Sequence, residues 1–123
     1  MIEKIKILLT EDKKINQDII VGILEDSIFQ IDIANNGKEA VEKCKDDKYS
    51  LILMDIDMPI MNGYEATKLI RLDNKHIPIV ALTAHKCENT IYKTKQVGMN
   101  EHLSKPIEPQ RLYETFFRYI TKI

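Results

Sequence analysis

The feature that most constrains this 123-residue chain is an alternation of five strand-length apolar runs with segments of helical spacing. The runs are Ile5 to Leu9, Phe29 to Ala34, Leu51 to Met54, Ile79 to Leu82, and a weaker one at His102 to Ser104. Short apolar runs bounded by polar residues are what strands of a buried sheet require. Between them, Ile15, Ile19, Ile20, Ile23 and Leu24, then Ala66, Leu69 and Ile70, then Leu112, Phe116, Phe117 and Ile120 recur at the spacing of a helix face. Strands alternating with helices predict the α/β class, a five-stranded parallel sheet covered on both faces and joined by right-handed crossovers. The first and third runs are almost wholly apolar, as central strands are, whereas Gln30 and Asp32 place the second near an edge.

The length suits one domain over residues 1–123, and neither a repeat nor a linker-like stretch divides it. Eighteen Lys and Arg against nineteen Asp and Glu leave no positive excess, so contact with nucleic acid or with an anionic membrane is not expected. Cys44 and Cys87 lie far apart in segments that read as helical, which suits reduced thiols rather than a disulfide framework. The first apolar run is too short for a secretory signal or a membrane span, and a cytoplasmic protein is expected.

Ligands of open α/β sheets bind beyond the carboxyl ends of the strands. There the first run is followed by Glu11 and Asp12, the third by Asp55, the fourth by Thr83, and the fifth by Lys105 and Pro106. Each has an ordinary explanation alone, because acidic residues cap helices and lysines are solvated. Their arrival at one rim is what those explanations do not predict. Three crowded carboxylates repel one another, and a divalent cation with a preference for oxygen ligands, Mg²⁺, relieves that repulsion. A phosphoryl group in transfer carries charge on its equatorial oxygens, which Mg²⁺, Lys105 and the Thr83 hydroxyl are suited to stabilise, leaving Asp55 as nucleophile.

The segments LLTED, LILMDIDMPIMNGYEA, IPIVALTA and GMNEHLSKPI resemble the signature segments of response-regulator receiver domains over nearly the whole chain. The resemblance implies a flavodoxin-like fold with strand order 2-1-3-4-5. It implies Asp55 as phosphoacceptor, Glu11 and Asp12 as the acidic metal pair, and the Asp57 backbone carbonyl as a further metal ligand. Thr83 then matches the switch hydroxyl, Lys105 the phosphoryl-stabilising lysine, Pro106 a cis-proline, and Met58, Pro59 and Gly63 the loop after the phosphoacceptor. It further implies a histidine kinase or histidine phosphotransfer protein as donor, docking near Ile15, Asn16, Ile19 and Ile20, and a downstream effector or phosphotransfer domain. Self-catalysed phosphoryl transfer and autodephosphorylation are the only chemistry expected of this segment. EDKKINQ and LSKPI resemble receivers attached to hybrid sensor histidine kinases, whose kinase activity would belong to a longer chain.

Two departures carry expectations of their own. Where the family places an aromatic switch residue this chain has His102, read either as an exposed surface residue or as a pH-sensitive part of the switch. Asp57 and His85 are expected to tune the lifetime of the phosphoaspartate through access of the attacking water. Signal output is expected through His85 to Gln96, His102 and Leu112 to Ile120, with Tyr92, Tyr113, Phe116 and Tyr119 on or beneath that surface.

An aspartate-nucleophile phosphatase is the enzymatic rival, since Asp55-Ile56-Asp57 after a buried strand suits it. Pro59, an acidic pair ahead of the nucleophile and the lack of room for a substrate cap weigh against it. A phosphorylation-independent pseudo-receiver is the second rival, with His102 its sole support. Flavin binding lacks the phosphate loop it needs after the first strand.

Overall fold

The computed structural model describes residues 4–25, 28–84 and 88–120. The chain runs β1 (Ile5–Thr10), α1 (Lys14–Ile23), β2 (Phe29–Ala34), α2 (Gly37–Asp46), β3 (Leu51–Asp55), α3 (Gly63–Asp73), β4 (Ile79–Thr83), α4 (Glu88–Val97), β5 (Glu101–Ser104) and α5 (Pro109–Ile120). The strands form one parallel sheet in the order β2-β1-β3-β4-β5. This is the expected α/β, flavodoxin-like architecture, with β2 at an edge.

Alternation along the central strands divides the core into two layers. Leu8, Ile52, Met54, Ile79 and Ala81 pack with Ala40 of α2 and with Ala66 and Ile70 of α3. Ile7, Leu9, Leu51, Leu53, Val80 and Leu82 pack with Ile20 of α1 and with Leu112 and Phe116 of α5. Both faces of β3, of β4 and of β1 from Ile7 onward are therefore dry, which is why those stretches are continuous apolar runs rather than alternating ones.

The ladders reach further than the apolar runs. β1, β3 and β4 each end on a buried polar residue, Thr10, Asp55 and Thr83. Backbone pairing does not depend on side-chain polarity, so the sheet carries these residues into the site. Helix faces are narrower than the spacing predicted. Ile15 is 73% exposed and Phe117 68%, with Ile19 and Leu69 also exposed, because a helix on a sheet buries only a stripe. α2 and α3 start at Asn36 and Asn62, whose side chains accept the backbone N–H of Glu39 and Glu65. Among the described residues no helix is long and apolar enough to cross a membrane. Cys44 is a free, half-buried thiol pushed up to about 11 by burial, and Cys87 lies outside the described residues.

Candidate functional site

β1, β3, β4 and β5 end together, and the residues beyond them form a compact charged cluster. Ligand atoms of Glu11, Asp12 and Asp55 all lie within 4.8 Å of one another. Lys105 Nζ is 3.0 Å from Glu11 Oε1 and 3.1 Å from Asp55 Oδ1. Glu11 and Asp55 are buried, with Asp55 only 3% exposed, and Asp12 is half-buried.

Backbone bonds hold this geometry. The Glu11 N–H donates to the Ala34 carbonyl at 3.0 Å, tying the turn after β1 to the end of β2. The Lys105 N–H donates to the Thr83 carbonyl at 2.8 Å, so the lysine's place follows from β4. The Ile56 N–H donates to the Leu82 carbonyl at 3.2 Å, extending the β3–β4 pairing past Asp55. The Gly63 N–H donates to the Ile56 carbonyl at 2.9 Å. A Cβ on Gly63 would stand 2.3 Å from the Asp55 carbonyl oxygen, so only glycine lets α3 start this close to β3. The peptide bond between Lys105 and Pro106 is cis.

Three carboxylates and one ammonium leave the cluster with an excess of negative charge. Burial pushes Asp55 up to about 7, and the adjoining Glu11 pushes it the same way against the pull of Lys105. Burial raises Asp12 as well, with Glu11 adding to the effect. Burial also opposes ionisation of Glu11, but its contacts with Asp55 and Lys105 outweigh this and bring it below the ordinary carboxylate range. Burial disfavours the Lys105 ammonium, yet Glu11 and Asp55 together hold its pKa above the ordinary lysine value.

The donor set suits a hard divalent cation. Its ligand atoms are carboxylate oxygens with an uncompensated charge, and buried Asp12 Oδ1 has no hydrogen-bond partner among the described residues. Such a cation would be held by Glu11, Asp12 and Asp55.

Other expected site residues are placed as follows. Thr83 ends β4, buried beside the cluster, and Asp57 is exposed two residues beyond β3. His102 sits on β5 opposite Ala81 and is half-buried, which corrects its reading as an exposed surface residue. His102 shares the sheet face of Ala81, opposite the face that α5 covers, and α4 packs against β5, so a strand at this edge is not bare. His85 lies outside the described residues. Asn16, Ile19 and Ile20 line a cleft of about 90 Å³ with Glu11, Lys105, Pro106 and Ile107, whereas Ile15 stands clear of it.

Gln17 was missed as a site residue. It is 5% exposed on α1, and its Nε2 donates to the Glu11 carbonyl at 2.7 Å and to Asn35 Oδ1 at 2.9 Å. The signal lay in its spacing, since Gln17 falls three residues before Ile20 and seven before Leu24, on the face that α1 buries.

Residues 7–117 match the family model described as response regulator receiver domain. Over 126 aligned residues the chain is 40% identical to hybrid signal transduction histidine kinase I of Dictyostelium discoideum, covering 95% of this chain and 7% of that protein. It spans between 6% and 12% of the length of the first three histidine kinases it matches. A solved structure of the receiver domain of sensor histidine kinase PA1611 from Pseudomonas aeruginosa PAO1, with a magnesium ion coordinated in its active site cleft, matches with TM-score 0.89 and 33% identity, covering 97% of this chain and 99% of that one. A chain in the co-crystal structure of the Saccharomyces cerevisiae histidine phosphotransfer protein Ypd1 and the receiver domain of its downstream response regulator Ssk1 matches with TM-score 0.88 and 32% identity, covering 97% and 90%. Because the family model takes in most of the chain and these relatives align along nearly all of it, the protein belongs to the response regulator receiver domain family and is a receiver domain of two-component phosphorelay systems.

Proposed function

We propose that this receiver takes a phosphoryl group from a phosphohistidine onto Asp55, with Mg²⁺ held by the carboxylates of Glu11, Asp12 and Asp55 and by the backbone carbonyl of Asp57. The observation that carries the reading is a buried carboxylate at the end of β3 with an ammonium 3.1 Å away and two further carboxylates beside it. Bound Mg²⁺ would keep the crowded carboxylates ionised and offset charge on the phosphoryl oxygens.

An Asp55 carboxylate oxygen attacks phosphorus, the phosphorus–nitrogen bond to the donor histidine breaks, and the imidazole takes up a proton. Lys105 holds one side of the developing charge, and the Thr83 hydroxyl is the group at the end of β4 to hold another. The cis bond at Pro106 belongs to the turn that carries Lys105 into the cluster. Attack of water on the acyl phosphate then breaks its phosphorus–oxygen bond, releases inorganic phosphate and restores the Asp55 carboxylate, and Asp57 and His85 tune how long the signal lasts.

The donor is a histidine kinase or a histidine phosphotransfer protein, as in the complex of Ypd1 with Ssk1. It would dock over the cleft of Asn16, Ile19, Ile20 and Ile107, where apolar contacts adjoin the charged cluster. Output would pass through Thr83 and His102 to the surface of α4, β5 and α5, a two-state equilibrium biased by new charge-assisted bonds, and reach an effector or phosphotransfer domain. The domain occupies residues 1–123 of a cytoplasmic protein, without nucleic-acid or membrane contact of its own, and its relatives support a hybrid kinase as the parent chain.

Intact mass after incubation with acetyl phosphate tests this. A phosphoryl adduct that requires Mg²⁺ and vanishes in Asp55→Asn is expected. Absence of an adduct with donor and metal in excess would leave a phosphorylation-independent interaction module, and turnover of a small phosphate ester would favour a phosphatase.

A further inference from the structure

We propose that Gln17 is a positioning residue for the metal pair, setting the affinity for Mg²⁺ by fixing the peptide that joins Glu11 to Asp12. The inference rests on the reading of Glu11 and Asp12 as metal ligands, and it concerns a residue that touches neither metal nor phosphoryl group.

The Glu11 carbonyl and the Asp12 nitrogen belong to one planar unit, so the direction of that carbonyl decides where the Asp12 side chain starts. Gln17 Nε2 holds the carbonyl at 2.7 Å from α1, and the Ala34 carbonyl holds the Glu11 N–H at 3.0 Å from β2. Glu11 is therefore pinned at both backbone groups, by α1 on one side and by the end of β2 on the other. One of its carboxylate oxygens is 3.0 Å from Lys105, which leaves Asp12 as the ligand whose placement depends most on the peptide plane.

The amide of Gln17 is itself held. Its second Nε2 contact is Asn35 Oδ1 at 2.9 Å, so both amide protons are committed. The Asn35 N–H and Nδ2 both donate to Glu39 Oε1, at 3.0 and 3.3 Å, and the Glu39 N–H donates to Asn36 Oδ1 at 2.9 Å. A line of hydrogen bonds thus runs from the first turn of α2 through Asn35 and Gln17 to the Glu11 carbonyl. A helix position 5% exposed would be filled at lower cost by an apolar side chain, since a polar one must keep its donors paired. Mg²⁺ tolerates little departure from octahedral geometry, and loss of an outer-shell partner commonly weakens metal sites by roughly 10- to 100-fold.

The test is isothermal titration of Mg²⁺ into the full chain, with thermal unfolding measured without metal, for the parent, Gln17→Met, Asn35→Ala and Asp12→Asn. Binding by the parent, its loss in Asp12→Asn, a weakening of about tenfold or more in Gln17→Met, and a smaller loss in Asn35→Ala are expected. Slow adduct formation by Gln17→Met should recover as Mg²⁺ is raised, which a general loss of folding would not permit. Unchanged Mg²⁺ affinity in a folded Gln17→Met that is only less stable would overturn the inference. Should that variant fail to fold, Asn35→Ala decides, and parental affinity there overturns it. A parent that binds no Mg²⁺ removes the metal reading and this inference together.

Discussion

Lys105 Nζ lies 3.1 Å from Asp55 Oδ1, although 50 residues separate the two in the chain. The contact brings the end of β5 to the end of β3 across the whole width of β4, and it places a positive charge where an incoming phosphoryl oxygen needs one. Lys105→Met should slow adduct formation at saturating Mg²⁺ by about 100-fold or more, the usual cost of losing one oxyanion-stabilising group. A time course of intact mass checks this, and a rate within a fewfold of the parent would remove Lys105 from the chemistry.

Asp55 makes stability depend on pH. Its folded value, about 7, lies above that of an unfolded aspartate, so the folded chain binds the proton more tightly. This contribution is complete below the unfolded value, near 4, and is lost as pH rises through that window to about 7. Without divalent ions, Asp55→Asn should therefore be more stable than the parent at pH 8 by on the order of 2 kcal/mol, and close to it near pH 4. Urea midpoints at several pH values measure the difference. A constant gap across that range would contradict the assignment.

Gly63 admits no side chain, because a Cβ would stand 2.3 Å from the Asp55 carbonyl oxygen. The obstacle is backbone, so it cannot swing aside. Gly63→Ala should cost about 3 kcal/mol and slow phosphorylation by displacing Asp55. Chemical denaturation and adduct kinetics on the same sample would show whether the two losses come together.

Thr67, fully buried on α3, has a hydroxyl without a hydrogen-bond partner among the described residues. Replacing an unpaired buried hydroxyl by a methyl group removes a desolvation cost. Thr67→Val should raise stability by about 1 kcal/mol with adduct formation unaffected. A lower midpoint would mean that the hydroxyl is bonded in solution.

The contrast between Asp55 and Gln17 explains what could be read in advance. Asp55 announced itself because it ends a wholly apolar run, as Thr83 does, and the residues after Leu9 end a nearly apolar one. Their convergence follows from parallel topology alone, since every strand of such a sheet points its carboxyl end the same way. Ile15 and Phe117 misled for the opposite reason: helical spacing records which residues share a face, while exposure depends on how much of that face the sheet covers.

The sequence by itself determined the α/β class, the edge position of β2, the order of the elements and the rim at which the charged residues meet. These rest on periodicity and chain direction, which are local properties. Only the tertiary structure decided that His102 is half-buried, that burial and the adjoining Glu11 raise the Asp55 carboxyl, and that Gln17 braces the Glu11 carbonyl. Each of those depends on how the elements pack and on how much water remains around them, which periodicity along the chain does not encode.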